Sequence, residues 1–278
     1  AQFELADRWI LSRCQHVVAD TTDALERFRL NDAANQVYHF VWDELADWYL
    51  EQVKPRLYDQ APEGNVARAI LIEVFETALR LLHPVMPFIS EELWAHLPGN
   101  REPLLARAAW PIGKEQFVDD EAERQFAVVQ ALVTAVRGIR AEYHVAPSVT
   151  LTAVVAPATR ETLAAINAEQ GTVERLAKIS DLTIADSAEG VGGHAVLHDG
   201  TSVLVPLGDA IDIAQECQRL RAERERLETQ LERVAQKLAN DQFMSRAPRE
   251  VVERERDKEH TWREQCETLG TKLAALGC

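Results

Sequence analysis

The chain has 278 residues, with 30 Lys and Arg against 45 Asp and Glu, for a net charge of −15. That balance excludes a protein whose whole surface grips nucleic acid, so any such contact must be local. A hydrophobic content of 46% and a charged content of 27% suit an ordinary globular protein long enough for two domains, and no apolar run reaches a membrane span.

The first residues are not expected to be a signal peptide. The chain starts at Ala1 and already reads as helix from Gln2 to Trp9, as expected of a piece of a longer protein. Cys14, Cys217, Cys266 and Cys278 show no CxxC spacing. They are expected as reduced thiols of a cytoplasmic protein, two of them core-facing.

The first helix carries Leu5, Trp9, Ile10, Val17, Thr21, Leu25 and Phe28 on one face, at helical spacing. Asn31 and Asp32 are placed to cap a second, which carries Val37, Phe40, Val41, Leu45, Trp48 and Tyr49 and should end at Pro55. A third opens at Pro62 and runs through Ile70, Val74 and Leu82. His83-Pro84 forces a corner, because the residue before proline is driven out of α geometry. Pro87 then starts a short helix to Leu97. Antiparallel helices joined by short turns make a bundle. Trp9, Tyr38, Trp42, Trp48 and Trp94 should mostly be core, with one exposed ring available to stack on a base.

After an irregular linker over 100–115, a helix spans Asp119 to Tyr143 with Phe126, Val129, Leu132, Val133, Val136 and Ile139 inward. The period then changes to alternation at 149–155, a strand. Two short helices over 159–170 and 173–179, a strand at 182–185, and a hairpin with an Asp199-Gly200 turn complete a small α/β module.

The last segment has two seams of alternating three- and four-residue steps. One runs Ile213, Cys217, Leu220, Arg224, Leu227, Leu231, Val234, Leu238. The other runs Val252, Glu255, Glu259, Trp262, Cys266, Leu269, Leu273, Leu276. Folded on each other they pair 213 with 276 and 238 with 252, which puts the turn near Met244-Ser245. The fold class is therefore mainly α. Residues 1–115 form a helical bundle, 116–210 a small α/β module and 211–278 an antiparallel coiled-coil hairpin with arms roughly 40 Å long.

No Gly-rich phosphate loop, HExxH or GxSxG is present, so no residue is assigned a catalytic role. His194, His198 and Asp199 are read as hairpin residues, and no metal site is assigned. RNA binding is the better hypothesis, because it needs only a shaped basic surface. Residues 211–278 hold 13 Lys and Arg against 14 Asp and Glu, whereas 1–210 hold 17 against 31. Arg249, Arg256 and Arg263 recur every seven residues beside one seam. Arg219, Arg226 and Arg233 do the same on the opposite flank, and Lys237, Arg246 and Arg249 gather at the tip. Flanking charges also serve salt bridges and solubility. The alternative is a helical interaction module whose hairpin docks a protein partner.

Three stretches carry a resemblance: Asp7-Arg8-Trp9-Ile10-Leu11-Ser12-Arg13, the run Phe40-x-Trp42-x-Glu44-x2-Asp47-Trp48-Tyr49-Leu50-Glu51, and the His83-Pro84 corner. They look like the anticodon-binding bundle of the class Ia aminoacyl-tRNA synthetases. Lys237-Leu238-x-Asn240-x2-Phe243-x3-Ala247-Pro248-x2-Val251-Val252-x-Arg254-Glu255 is similar to the coiled-coil arm of the valyl-tRNA synthetases. Val205-Pro206-Leu207-x4-Asp212 and Ile139-Arg140-Ala141-Glu142 match as well.

The resemblance implies the C-terminal portion of such a synthetase. The bundle would hold the anticodon stem-loop, with Arg8 and Arg13 as candidate contacts, and the arm would reach the tRNA corner. The parent enzyme would use ATP, Mg²⁺, valine and its tRNA, and act as a monomer. This portion would hold no cofactor and, without the catalytic and editing domains, would be inactive alone. The bundle's first helix would lie upstream, leaving a groove beside Trp9 and Arg13.

Overall fold

The computed structural model describes residues 3–58, 62–99, 102–208 and 210–278, apart from the side chains of 62, 63, 241, 244 and 246. The chain divides into two compact units, residues 1–130 with 164–172 and residues 131–163 with 173–278.

The first unit contains α1 (Leu5–Glu26), α2 (Leu30–His39), a π-helical stretch (Phe40–Leu50), α3 (Glu51–Tyr58), α4 (Pro62–Leu82), α5 (Pro87–His96) and the start of α6 (Asp120–Glu142). Glu4 and Asp7 close a capping box at the start of α1. Leu5, Trp9, Ile10, Val17 and Thr21 are buried as the spacing predicts. Phe28 is not. The helix stops at Glu26 and Phe28 takes a φ of 58°, which leaves its ring 89% exposed. Asn31 and Asp32 do not cap α2 either; they lie inside its first turn, and Asp32 pairs with Arg29 at 3.3 Å.

Hydrogen bonding from i to i+5 widens the turn over Phe40–Leu50. The fully buried residues there are Phe40, Leu45 and Tyr49, spaced five and four apart. Pro55 does not end the helix but lies inside α3. It removes one backbone bond, yet the turn around it is held by side chains: Arg56 grips Asp7, and Leu57 packs on the core. Trp9 stacks on Phe126 with 4.1 Å between centroids, and Trp48 meets the same ring edge-on.

At the proline corner the His83 ring nitrogen Nδ1 lies 2.8 Å from the buried Ser90 hydroxyl, which donates to the Met86 carbonyl. Behind it Trp94 is buried with Leu79 and Leu105. The Glu91 carboxylate accepts from the Leu105 and Ala106 amides and so anchors the linker.

The second unit holds the end of α6, β1 (Leu151–Ala156), parts of α7 (Arg160–Ala177), β2 (Ile179–Ile184), β3 (Gly193–Val196) and β4 (Ser202–Val205). The sheet order is β2-β1-β4-β3, with β1 and β2 parallel and the other pairs antiparallel. The two expected short helices are one element, α7, kinked at Glu169, and Ile179 belongs to β2. Gly193 permits a close approach: a Cβ there would fall 2.3 Å from Ile139 Cγ2. Arg140 is buried and donates to the carbonyls of Ala146, Val149 and Lys178.

The hairpin consists of α8 (Ile213–Leu238), α9 (Asp241–Arg246) and α10 (Arg249–Ala275). Asp212 caps α8 by accepting from the Gln215 amide. The turn is a short helix rather than a loop, because Asn240 accepts from the amides of Gln242 and Phe243. The seam is buried near its base, at Cys217, Leu220, Leu269, Leu273 and Leu276, and near its tip, at Val234, Val252 and Glu255. Its middle, with Arg224, Leu227, Leu231, Glu259, Trp262 and Cys266, is only partly covered. Lys272 pairs with Glu142 at 2.8 Å, and the Gly192 amide donates to the Ala275 carbonyl at 3.1 Å, fixing the hairpin base.

The reduced state expected for all four cysteines is corrected at one pair. Cys217 and Cys278 form a disulfide, with Cα atoms 6.1 Å apart. Chain reversal brings together two residues 61 positions apart, which sequence spacing does not disclose. Cys14 and Cys266 are free; burial pushes the Cys14 thiol up to about 12, the state of an inert core residue.

Candidate nucleic-acid interface

The arginines of the bundle motifs turn inward onto carboxylates. Arg56 donates to both oxygens of the fully buried Asp7, at 2.9 and 2.6 Å, and the Tyr49 hydroxyl donates to Asp7 at 2.9 Å. Burial, and then the Asp7 charge, push the Tyr49 phenol well above its ordinary range. Arg8 bonds Asp119 at 2.8 Å, which holds that carboxyl below the usual carboxylate range. Arg13 forks onto Glu44 at 2.9 and 3.0 Å and reaches Glu123 at 3.3 Å. Both candidate bundle contacts are thus parts of ion pairs within the unit.

The exposed side chains of this unit include several large aromatic and apolar ones beside its charged ones. Tyr38 and Trp42 are 57% and 59% exposed, with ring planes 3° apart and centroids at 6.4 Å. Two rings, rather than one, are therefore available for stacking. Trp9 is closed over; an open groove on this unit is lined by Phe3, Leu11, Val66, Ile70 and Phe117. At the proline corner Val85, Met86, Phe88 and Ile89 are exposed, Phe88 to 91%.

On the hairpin the pattern reverses. Arg226, Arg233 and Arg256 are exposed and make no ion pair among the described residues, and so is Arg254, which spacing had not singled out. Arg249 pairs with Glu253 at 2.8 Å and Arg263 with Glu259 at 2.5 Å, each within its own helix. Arg219 pairs with Glu216 and Glu223. Lys237 contacts Glu255 at 3.1 Å and lies 4.8 Å from the centre of the Phe243 ring. The Arg246 side chain lies outside the described residues. The helix pair does not bring the candidate arginines together: Arg226 lies in a groove with Gln230, Gln265 and Lys272, while Gly270, in the column of Arg249, Arg256 and Arg263, faces Arg224 on the other flank.

In the α/β module, His194 contacts the Gly190 carbonyl at 2.9 Å, and Asp199 accepts from Thr162 and Thr201. His194 lies in β3, and Asp199, in the turn between β3 and β4, also ties that turn to α7.

A helical bundle followed by a charged antiparallel hairpin matches two known families. The anticodon-binding domain of tRNA ligase matches residues 7–155, more than half of the chain, and the chain belongs to that domain family. The valyl tRNA synthetase tRNA binding arm matches residues 212–277. Three bacterial relatives named valine–tRNA ligase agree. The Clostridium acetobutylicum protein is 36% identical over 279 residues, covering 99% of this chain and 31% of that protein. That of Carboxydothermus hydrogenoformans is 34% identical over 99% of this chain, and that of Geobacter sulfurreducens 39% over 91%. The chain spans about three-tenths of the length of these curated relatives.

Proposed function

We propose that the chain is the tRNA-holding part of a valine–tRNA ligase. In this reading residues 1–115 hold the anticodon stem-loop, 116–210 connect, and 211–278 reach the tRNA corner. The catalytic portion, attached in cis, joins valine to its tRNA using ATP and Mg²⁺ in the cytoplasm, and the whole acts as a monomer. The chain alone binds neither cofactor and forms no aminoacyl adenylate. The observation that carries the reading is the hairpin's set of arginines that are exposed and unpaired among the described residues, in a chain of net charge −15. Uncompensated cations on a rigid rod suit phosphates.

The alternative of a protein-docking hairpin is disfavoured by its surface. Among the described residues, none of the exposed large apolar side chains lies beyond Val196. The exposed corner at Val85, Met86, Phe88 and Ile89 instead supports a covered surface on the bundle, where we place the catalytic portion.

The test is binding of a valine tRNA transcript, at low and moderate salt, against the same transcript with its anticodon loop replaced. Salt-sensitive binding that prefers the intact transcript is expected. Equal, salt-insensitive binding of both would contradict the assignment.

A further inference from the structure

The hairpin carries two candidate basic flanks, and the structure distinguishes them. The groove between α8 and α10 is lined by Glu223, Arg226 and Gln230 on one helix and by Gln265, Thr268 and Lys272 on the other. Residues seven apart on a coiled-coil helix share a column. The columns through these residues therefore define one flank along its whole length. They bring in Arg219, Arg233 and Lys237 from α8, and Arg254 and Lys258 from α10. The flank holds seven Lys and Arg against two Glu. Both glutamates, Glu216 and Glu223, are at the base and are taken by Arg219.

The outer half of this flank has no carboxylate in its columns. Arg226, Arg233 and Arg254 are exposed and unpaired among the described residues. Lys237 and Lys258 both contact Glu255, each at 3.1 Å, one from each helix. Glu255 is a seam residue and is itself buried. Its charge is thus set beneath the two ammonium groups, and draws them to one side of the rod.

The opposite flank differs in kind. Its columns hold Arg221, Arg249, Arg256 and Arg263 against five glutamates: 225, 228, 232, 253 and 267. Arg249 is taken by Glu253 and Arg263 by the seam residue Glu259, which leaves Arg256 alone of that stripe exposed and unpaired among the described residues. A polyanion approaching there meets more carboxylates than cations.

We propose that the arm meets the tRNA sugar-phosphate backbone with the flank of Arg226, Arg233, Lys237, Arg254 and Lys258, and that Glu255 is the positioning residue that sets the two lysines. The Arg249, Arg256 and Arg263 stripe faces away from RNA. This rests on the tRNA-holding function proposed above. From Arg226 to Lys237 the flank extends about 16 Å along the helix. Contacts of this kind fix orientation and carry no base sequence, so this flank should grip the tRNA fold rather than select its bases.

The experiment uses the whole 278-residue chain and a valine tRNA transcript at two salt concentrations. One variant carries R226E, R233E and R254E; the other carries R249E, R256E and R263E. Circular dichroism verifies that each keeps its helix content. A third variant, E255Q, leaves every cation in place.

The first variant should lose at least tenfold in affinity, and its salt dependence should flatten by about two units on a log-log plot, at 0.7–0.9 per lost phosphate contact. The second should stay within about threefold of the unmodified chain, since its charges never touch RNA. E255Q should weaken binding by a few-fold with the salt slope nearly kept. A larger loss in the second variant than in the first would overturn the flank assignment while the tRNA-holding function stands. No tRNA binding by the unmodified chain would overturn both.

Discussion

The bundle and the arm use the same residue types in opposite ways. In the bundle the motif arginines are joined to carboxylates: Arg56 to Asp7, Arg8 to Asp119, Arg13 to Glu44 and Glu123. Its exposed surface also carries large aromatic and apolar side chains, at Tyr38, Trp42 and Phe88. In the arm the large apolar side chains meet in the seam, and Arg226, Arg233, Arg254 and Arg256 are left to solvent. An arginine in a motif therefore says little by itself. Whether a carboxylate shares its surroundings decides between a structural tie and a free cation.

The comparison breaks most visibly at Asp7. D7A leaves the largely buried Arg56 guanidinium with only the half-exposed Glu4, at 3.2 Å, and leaves the Tyr49 hydroxyl without its acceptor, so it should destabilise the first unit by about 3–5 kcal/mol in chemical denaturation. A loss below about 1 kcal/mol would mean that the bundle arginines are not structural. A smaller effect is expected from R8Q combined with R13Q. Their pairs are partly exposed, so each should contribute about 1 kcal/mol or less, visible as a modestly lowered melting temperature. Smaller again is W42A, which removes a ring 59% exposed and should shift stability by less than about 0.5 kcal/mol. It should nevertheless weaken tRNA binding if that ring stacks on a base, by about 1–3 kcal/mol.

The smallest effect is a titration. Lys237, then Lys258, hold the Glu255 carboxyl below the usual glutamate range. Its stabilising pairs should therefore be intact above the ordinary value of about 4.3, and be lost only as the pH falls through the lower folded value. Carboxyl NMR shifts should show that depressed midpoint. A midpoint at or above the ordinary value would remove Glu255 from the lysine pair.

The seam was legible in the sequence because its period is set by helix geometry. So were the α6 core positions and the hairpin at Asp199-Gly200. The motif residues were legible as a resemblance, and the structure supplies their physical roles: Ile139 packs against Gly193, Arg140 collects three carbonyls, Asp212 and Asn240 cap helices. What spacing could not reach were effects of partners distant in sequence. Pro55 stays helical because the residues beside it are anchored elsewhere, Phe28 leaves the core through a single positive φ, and Cys217 meets Cys278 only after the chain reverses. The ranking of the arginine stripes failed to emerge for the same reason. Seven-residue spacing places cations on a flank, but the carboxylates that offset them sit in neighbouring columns of both helices.

The most direct test of the contrast is the salt dependence of tRNA binding for two neutral variants of the whole chain, R226Q/R233Q/R254Q and R8Q/R13Q. The account predicts that the arm variant loses about two units of log-log slope while the bundle variant keeps the slope of the unmodified chain. Equal flattening in both, or flattening in the bundle variant alone, would show that the bundle's paired arginines are its phosphate contacts and would contradict the division drawn between the two regions.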